Sequence, residues 1–482
     1  MQKNTIKYTA LIALMVLGTT IVGCKKFVET DAPVSQVNGN NVYTSDATAI
    51  AALTGIYIGM FEGIPSPNFS TGPRSFSLLC GLSADEFTLF TGANTEKMSF
   101  YKNTLVANSA NNNVGTDYWN SLYDNIYSTN SAIEGLNGSK GLTETVKQQL
   151  LGEAKFMRAF FYFYLVNLYG DVPLVTSTDY KINAFLARST AAQVYQQVIK
   201  DLNEATDLLS DNYMDGSLKV YTGVAERVRP TKWAAKALLA RTYLYIGNYA
   251  DAEIQSTDVI NNTTLYDTVS INNVFLKNSK EAIWQIQPTK INQNTDDSRM
   301  FIVTTGFSDA TPIWLSDTLL NSFEANDLRR SNGNWVNSTT ISGKPYYYPY
   351  KYKNITSTVS EYLMVLRLSE QYLIRAEART QQGNFNGAQS DLNIIRKRAR
   401  LPGTTASDKN SLLTAILHER QVEFFSEWGH RWLDLKRTNT ADALMSTFAP
   451  KKGGTWNPTN KLYPVPFLEL QRDPNLIQNS GY

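Results

Sequence analysis

The longest run of regularly spaced apolar residues lies at 143–169, TETVKQQLLGEAKFMRAFFYFYLVNLY. Phe156, Phe160, Phe163 and Tyr164 recur there at three- and four-residue steps, which predicts a helix with a core-facing stripe. Thr143 followed by Glu144 is a favourable helix start, although no capping box follows. Gly170-Asp171-Val172-Pro173 predicts its end, because glycine permits a left-handed cap and proline cannot continue the helix. The same reading predicts helices over 189–209, from Pro230 to Gly247, and over 251–259, 369–382, 386–399 and 411–428. Trp119 and Tyr123, in DYWNSLYDNIY, read as packing residues.

Two of these helical stretches repeat each other. AKALLARTYLYIGNYADAE (235–253) aligns with EQYLIRAEARTQQGNFNGAQ (370–389) at an offset of 136, pairing Ala240 with Ala376, Gly247 with Gly383, Tyr249 with Phe385 and Ala252 with Ala388. The pattern resembles the tetratricopeptide helix–turn–helix. Small alanines let paired helices approach, glycine closes the turn, and the aromatic fills the wedge where the helices diverge. A stack needs about three or more units to bury a continuous core. Degenerate units are therefore expected within 144–210 and 386–428.

Between the helices lie two polar stretches, 63–115 and 285–358, rich in Asn, Ser, Thr and Gly. Connections this long are uncommon unless they are functional or carry small strands. Loops on a rigid scaffold usually carry function, so these two form the candidate binding surface.

Composition narrows the class. The 482 residues are 43% hydrophobic and 18% charged, a globular balance. The net charge of +2 includes Lys3 and Lys7, whose removal leaves it at zero. Nothing in that balance favours nucleic acid, whose binding needs many cation–phosphate contacts. Lys3 and Lys7 open a basic, then apolar, segment with the layout of a secretory signal. Ile21-Val22-Gly23-Cys24 resembles a bacterial lipobox, with cleavage expected after Gly23 and lipid on Cys24. Acyl chains would then tether the body, each CH2 adding about 0.8 kcal/mol of membrane affinity. After residue 24 no apolar run approaches the roughly 20 residues that span a bilayer. Cys80, in SLLCGL, reads as a buried thiol.

Chemistry is sparse. The sequence has no phosphate-binding GxGxxG or GKS/GKT and no GxSxG nucleophile elbow. His418-Glu419 begins like HExxH, but Val422 stands where the second zinc ligand belongs. Asp85-Glu86 and Asp296-Asp297 read as solvated loop or helix-start charges rather than as a glycosidase pair. Asp296 and Asp297 also lack the ordered ligand spacing of a calcium loop. No catalytic residue, metal or cofactor is expected.

Six blocks in order resemble the SusD/RagB family of outer-membrane nutrient-binding lipoproteins of Bacteroidota. They are the lipobox, AKFMRAFFYFYLVNLYGDVPLV (154–175), RPTKWAAKALLARTYLYIGNY (229–249), LRLSEQYLIRAEA (366–378), ERQVEFFSEWGHRWLDLKR (419–437) and KLYPVPFLELQRDPNLIQNSGY (461–482). The resemblance implies a mainly α fold, a tetratricopeptide-like superhelical scaffold with a loop-rich face carrying short strands. It divides the chain into a removed signal at 1–23, an N-terminal portion at 24–215 and a C-terminal portion at 216–482, packed as one unit. It implies a non-enzymatic lipoprotein, surface-exposed on the outer membrane, that captures oligosaccharide for a SusC-like TonB-dependent transporter. The alternatives are the same lid with peptide cargo, a tetratricopeptide scaffold for proteins alone, and a glycan-cleaving enzyme. Arg420, Glu423, Glu427, Arg431 and Asp434 read as a structural charge network.

Capturing a sugar requires an aromatic face for its C–H patch and polar groups for its hydroxyl rim. The first polar stretch offers Phe90, Thr91, Asn94 and Tyr101. The second offers Phe301, Phe307, Trp314, Trp335, Tyr346 and Tyr348. From these, Trp314, Phe90 and Tyr101 are the candidate platforms, with Asn94 and Arg299 as polar partners. The competing role for any such ring is to pin its loop to the body.

Overall fold

In the computed structural model, which describes residues 42–63, 68–110 and 112–482, helices dominate and strands come in short pairs. Cys24 and the signal segment lie outside the described residues. The first helix, α1 (Asp46–Glu62), starts at Ser45, whose side chain accepts from Thr48 N, and stops at Gly63 with φ 71°. It is followed by α2 (Phe76–Ser83), buried throughout, β1 (Phe87–Leu89), α3 (Thr95–Lys102) and the paired β2 (Val106–Ser109) and β3 (Asn112–Val114). Much of the stretch predicted as polar loop, 63–115, is therefore ordered framework, because SFSLLCGL and the flanking apolar residues supply core.

Two long helices come next, α4 (Asp117–Gly138) and α5 (Glu144–Tyr169), packed on each other. The start of α5 is satisfied from outside. The Thr143 N–H and hydroxyl donate to the Asp46 carboxylate at 2.9 and 2.7 Å. Its predicted stop holds, with Gly170 at φ 75°. All four stripe aromatics are buried. Phe156 and Phe160 set their edges against Trp284 at 4.9 and 5.4 Å, and Tyr164 stacks on Phe76 at 4.5 Å. Each such ring contributes about 1.5–3 kcal/mol through burial. One hydrophobic cluster extends from Ala49 to Leu476, joining the first and last described segments.

After β4 (Val172–Pro173), α6 (Tyr180–Asn183) and β5 (Arg188–Ser189), the chain enters α7 (Ala191–Leu208), which begins with a Thr190–Gln193 capping box. α7 packs between α5 and α8 (Lys232–Tyr245), and α8 pairs with α9 (Tyr249–Asn261). The chain then leaves the stack for β6 (Ala282–Ile286), α10 (Asp296–Phe301), β7 (Ile313–Leu315), α11 (Asp317–Ser322), β8 (Val336–Ile341), β9 (Lys344–Pro349) and β10 (Leu363–Arg367). It returns as α12 (Leu368–Gln381), which packs on α9 and pairs with α13 (Phe385–Arg398), followed by α14 (Lys409–Glu423). The two repeats match in detail. Gly247 and Gly383 take φ 77° and 84°, and Asn248 and Asn384 cap the second helix of each pair. Ala240, Ala252, Ala376 and Ala388 are fully buried at the helix contacts. The fold is thus mainly α and tetratricopeptide-like.

The predicted helix over 411–428 is shorter than expected. It ends at Glu423, and Ser426, Trp428 and Gly429 take left-handed φ of 55°, 47° and 70°. α15 (His430–Arg437) and α16 (Ala441–Phe448) follow, and α17 (Phe467–Arg472) lies near the chain end. The turn is held by buried partners: Trp428 N–H bonds Ser77 Oγ at 3.0 Å and its indole N–H bonds Met364 O at 2.6 Å. Among the described residues no helix is long and apolar enough to cross a membrane.

Candidate functional site

On the loop-rich face, β1 pairs antiparallel with β7, placing Thr88 opposite Trp314. Strand alternation buries Phe87, Leu89, Ile313 and Leu315 and leaves Thr88 and Trp314 half-exposed on the other face. β8 and β9 form a hairpin whose two-residue turn is Ser342-Gly343, at φ 51° and 78°. Those left-handed conformations match the strand twist. On β9, Tyr346 is half-exposed. Phe307, on the connection before β7, sits between the sheets. Its ring lies 4.8 Å from Trp314, 5.0 Å from Tyr346 and 6.4 Å from Phe90. Trp314 and Tyr346 touch at 5.2 Å. Four rings from three segments of the chain therefore form one partly exposed aromatic surface. Lys344 Nζ lies 5.2 Å from the centre of the Tyr346 ring.

A polar cavity of about 350 Å³ is lined by Arg74, Asn94, Glu96, Lys290, Asp296 and Asp309. It adjoins the rings through Asp309, two residues beyond Phe307. Asp309 accepts from Asn94 N at 2.9 Å and from Lys97 Nζ at 2.9 Å. Against partial desolvation, Lys97 and the Asn94 N–H hold this carboxyl below its usual range. The bond pins the Phe307 connection to α3, so the rings stand on a fixed base.

The structure brings Phe90 and Trp314 together through Phe307 and places Asn94 at the cavity edge. Asn94 also caps α3, accepting from Lys97 N at 3.0 Å. Tyr101 is half-buried on α3 against the main core, with Lys452 Nζ 5.1 Å from its ring centre, and makes no ring contact with the cluster. Its hydroxyl bonds Thr88, which stands opposite Trp314. Arg299 bonds Gln293 Oε1 at 2.8 Å and pairs with Asp296 at 3.7 Å. Three aromatics from the expected loop surface are instead core: Phe301, Trp335 and Tyr348. Trp335 bonds Ile271 O through its indole N–H at 2.9 Å and underlies Lys351, Arg367 and Arg398. Sequence reasoning gave Phe307 no special place among the loop rings. Its meeting with Phe90 depends on long-range strand pairing.

Comparison with known proteins agrees with this architecture. Residues 82–244 match a family described as starch-binding and associating with the outer membrane, and residues 277–482 match the SusD family. SusD-like protein P2 of Formosa agariphila is 25% identical over 528 aligned residues, covering 98% of this chain and 99% of that protein. The chain belongs to the SusD/RagB family. A SusD superfamily protein from Bacteroides vulgatus superposes with TM-score 0.75 at 20% identity, covering 91% of this chain and 99% of the other. A laminarin-binding SusD-like protein gives TM-score 0.72 at 23% identity, covering 91% and 100%. These likenesses concern the fold.

In this SusD/RagB chain the charged residues of 419–437 do build a structural network, and it is buried. Glu423 accepts from Arg329 at 2.8 Å, from Arg367 at 2.6 Å and from Arg398. Burial opposes its charge, but Arg398, Arg367 and Arg329 outweigh burial and hold the carboxyl well below the usual range. Glu427 bonds Lys351 and Arg367, Arg420 bonds Asp434 at 2.7 Å, and Arg431 clasps Asp85 at 2.8 and 2.9 Å. Asp85 and Glu86 are thus buried rather than solvated, because partners more than 300 residues away enclose them. Burial, then the nearby Asp85 charge, pushes Glu86 up to about 8. Asp297 is buried too, accepting from Gly72 N at 2.8 Å and Thr71 Oγ1 at 3.0 Å. Burial likewise pushes the Cys80 thiol up to about 12. Among the described residues no group of three or more His, Cys, Asp or Glu is placed to hold a metal ion.

Proposed function

We propose that this protein captures an oligosaccharide at the outer-membrane surface and passes it to a SusC-like TonB-dependent transporter, without catalysing a reaction. Lipid on Cys24 tethers the body. Phe90, Phe307, Trp314 and Tyr346 form the platform on which pyranose C–H faces stack. Asn94 and Asp309, at the cavity edge, bond hydroxyls. Tyr101, whose hydroxyl meets Thr88 opposite Trp314, extends the platform, and Arg299 is a further polar partner.

The reading rests on the four-ring cluster, a group of partly exposed aromatics with polar side chains beside it on a preorganised base. Two further facts support it: the family matched at 82–244 is described as starch-binding, and a laminarin-binding protein shares the fold. Calorimetry of the unlipidated chain against plant, host and microbial oligosaccharides, with peptides alongside, tests the cargo. At least one oligosaccharide should bind and emerge with no new reducing ends. Heat from peptides alone would contradict the cargo, and newly released ends would contradict the absence of catalysis. Cys24→Ala should abolish acylation and move the protein out of the membrane fraction.

A further inference from the structure

One face of α1 lines two cavities. Thr54, Tyr57, Ile58, Phe61 and Glu62 recur at three- and four-residue steps, which sets them in a row along the helix. Phe61 and Glu62 line the polar cavity of about 350 Å³ beside the rings. Thr54, Tyr57 and Ile58 line a second cavity, of about 420 Å³. The segment after β6 runs the same way, with Gln287, Pro288 and Thr289 on the second cavity and Lys290 on the first. The two cavities are therefore neighbours. Between them the Thr289 hydroxyl donates to Glu62 Oε1 at 2.6 Å, in a bond at the surface.

The second cavity has a composition that suits a sugar. Tyr57, Tyr221 and the 40%-exposed Ile58 supply apolar surface, and Gln287 and Glu226 supply polar groups. The Tyr57 hydroxyl donates to Glu153 at 2.7 Å, which fixes that ring in advance. The other charges on the wall are met from within the fold. Arg229 donates to Glu153 at 2.7 Å and to Thr54 Oγ1 at 3.0 Å. Asp215 accepts from the Ser217 hydroxyl at 2.7 Å and from the Ser217 and Lys219 amides at 2.8 and 3.0 Å. Glu226 is the exception. Tyr362 stands beside its carboxylate, yet Oε2 is buried with no hydrogen-bond partner. A buried acceptor left unmet is costly, and a hydroxyl donor removes that cost.

We propose that this cavity is a second subsite for the same oligosaccharide. A chain laid on the ring surface continues through the polar cavity, crosses the Glu62–Thr289 bond and reaches Tyr57 and Tyr221. The inference rests on the glycan reading and adds chain length to it. Thr54 to Glu62 covers about 12 Å of helix. The ring surface and both cavities together therefore outreach a disaccharide. A sugar chain repeats its apolar face and its hydroxyls at every unit, so it can use a groove that offers rings and polar groups at both ends.

The test is calorimetry with a disaccharide and an octasaccharide cut from the glycan that binds the unlipidated chain best. The octasaccharide should bind about tenfold more tightly than the disaccharide. Tyr221→Ala and, separately, Ile58→Arg, which fills the cavity from an exposed helix position, should each remove most of that advantage. Both should leave disaccharide affinity and melting temperature unchanged. Trp314→Ala should weaken the binding of both chains. Equal affinity for the two chains overturns the inference alone, as does a folded Ile58→Arg or Tyr221→Ala protein that keeps the full advantage. Binding of neither chain by the unaltered protein brings down the glycan reading and the inference with it.

Discussion

Trp314 and Tyr346 meet edge to face, with ring centres 5.2 Å apart and planes at 76°, although they belong to separate two-stranded sheets. Neither sheet alone has enough strands for independent stability. What holds the pair is the base beneath it: Phe307 packed against both rings and Asp309 tied to Asn94 and Lys97.

Phe307 is the ring that touches the other three, so it should matter beyond its own contact area. Phe307→Ala should weaken oligosaccharide binding by about 1–2 kcal/mol, roughly 5–30-fold. Tyr101→Ala, outside the cluster, should change affinity by less than about threefold, within roughly 0.6 kcal/mol. Calorimetry on the two variants checks the ranking, and equal losses would contradict the placement of the platform.

The two repeats are clamped by a buried ion pair. Arg241 donates twice to Glu370, at 2.6 Å each, and both side chains are almost fully buried. Glu370→Ala leaves Arg241 charged and unpaired, which should cost about 3–5 kcal/mol. Replacing both, with Arg241→Met and Glu370→Leu, should cost clearly less, because no buried charge remains. Urea midpoints of the three proteins measure the difference.

Glu86 should give stability a pH slope. Its folded value of about 8 stands above the ordinary 4.5, so the folded chain keeps a proton that the unfolded chain releases between those values. Its contribution is therefore full below about pH 4.5 and is lost as pH rises towards 8. Glu86→Gln should flatten that part of the curve, and at pH 8.5 it should be the more stable protein by a few kcal/mol. Urea unfolding at pH 5 and 8.5, compared between the two proteins, reads the slope directly.

Local pattern made the scaffold legible. The α5 stripe with its Gly170 stop, and the Gly247 and Gly383 turns, are written in residues close together in the chain. The end of α14 was not, because the three- and four-residue spacing of charges continues through Glu427 as if the helix did too. Glu427 reaches Lys351 and Arg367 from a left-handed turn, and those partners lie 60 or more residues away. Distance in sequence likewise hid the burial of Asp85 beneath Arg431. For the candidate site, chemistry pointed to Phe90, Tyr101 and Trp314 with Asn94 and Arg299, and of these the structure joins Phe90 to Trp314 through Phe307. Which loop rings meet depends on strand register: one β9 position separates Tyr347, stacked under Arg330, from Tyr346 beside Trp314.

The central claim is that the ring surface on β1, β7 and β9 holds the sugar. Titrating Trp314→Ala with the oligosaccharide that binds the unaltered protein best tests it most directly. The account predicts a loss of about 2 kcal/mol, roughly 30-fold, with cooperative unfolding retained. Unchanged affinity in a folded Trp314→Ala protein would contradict it.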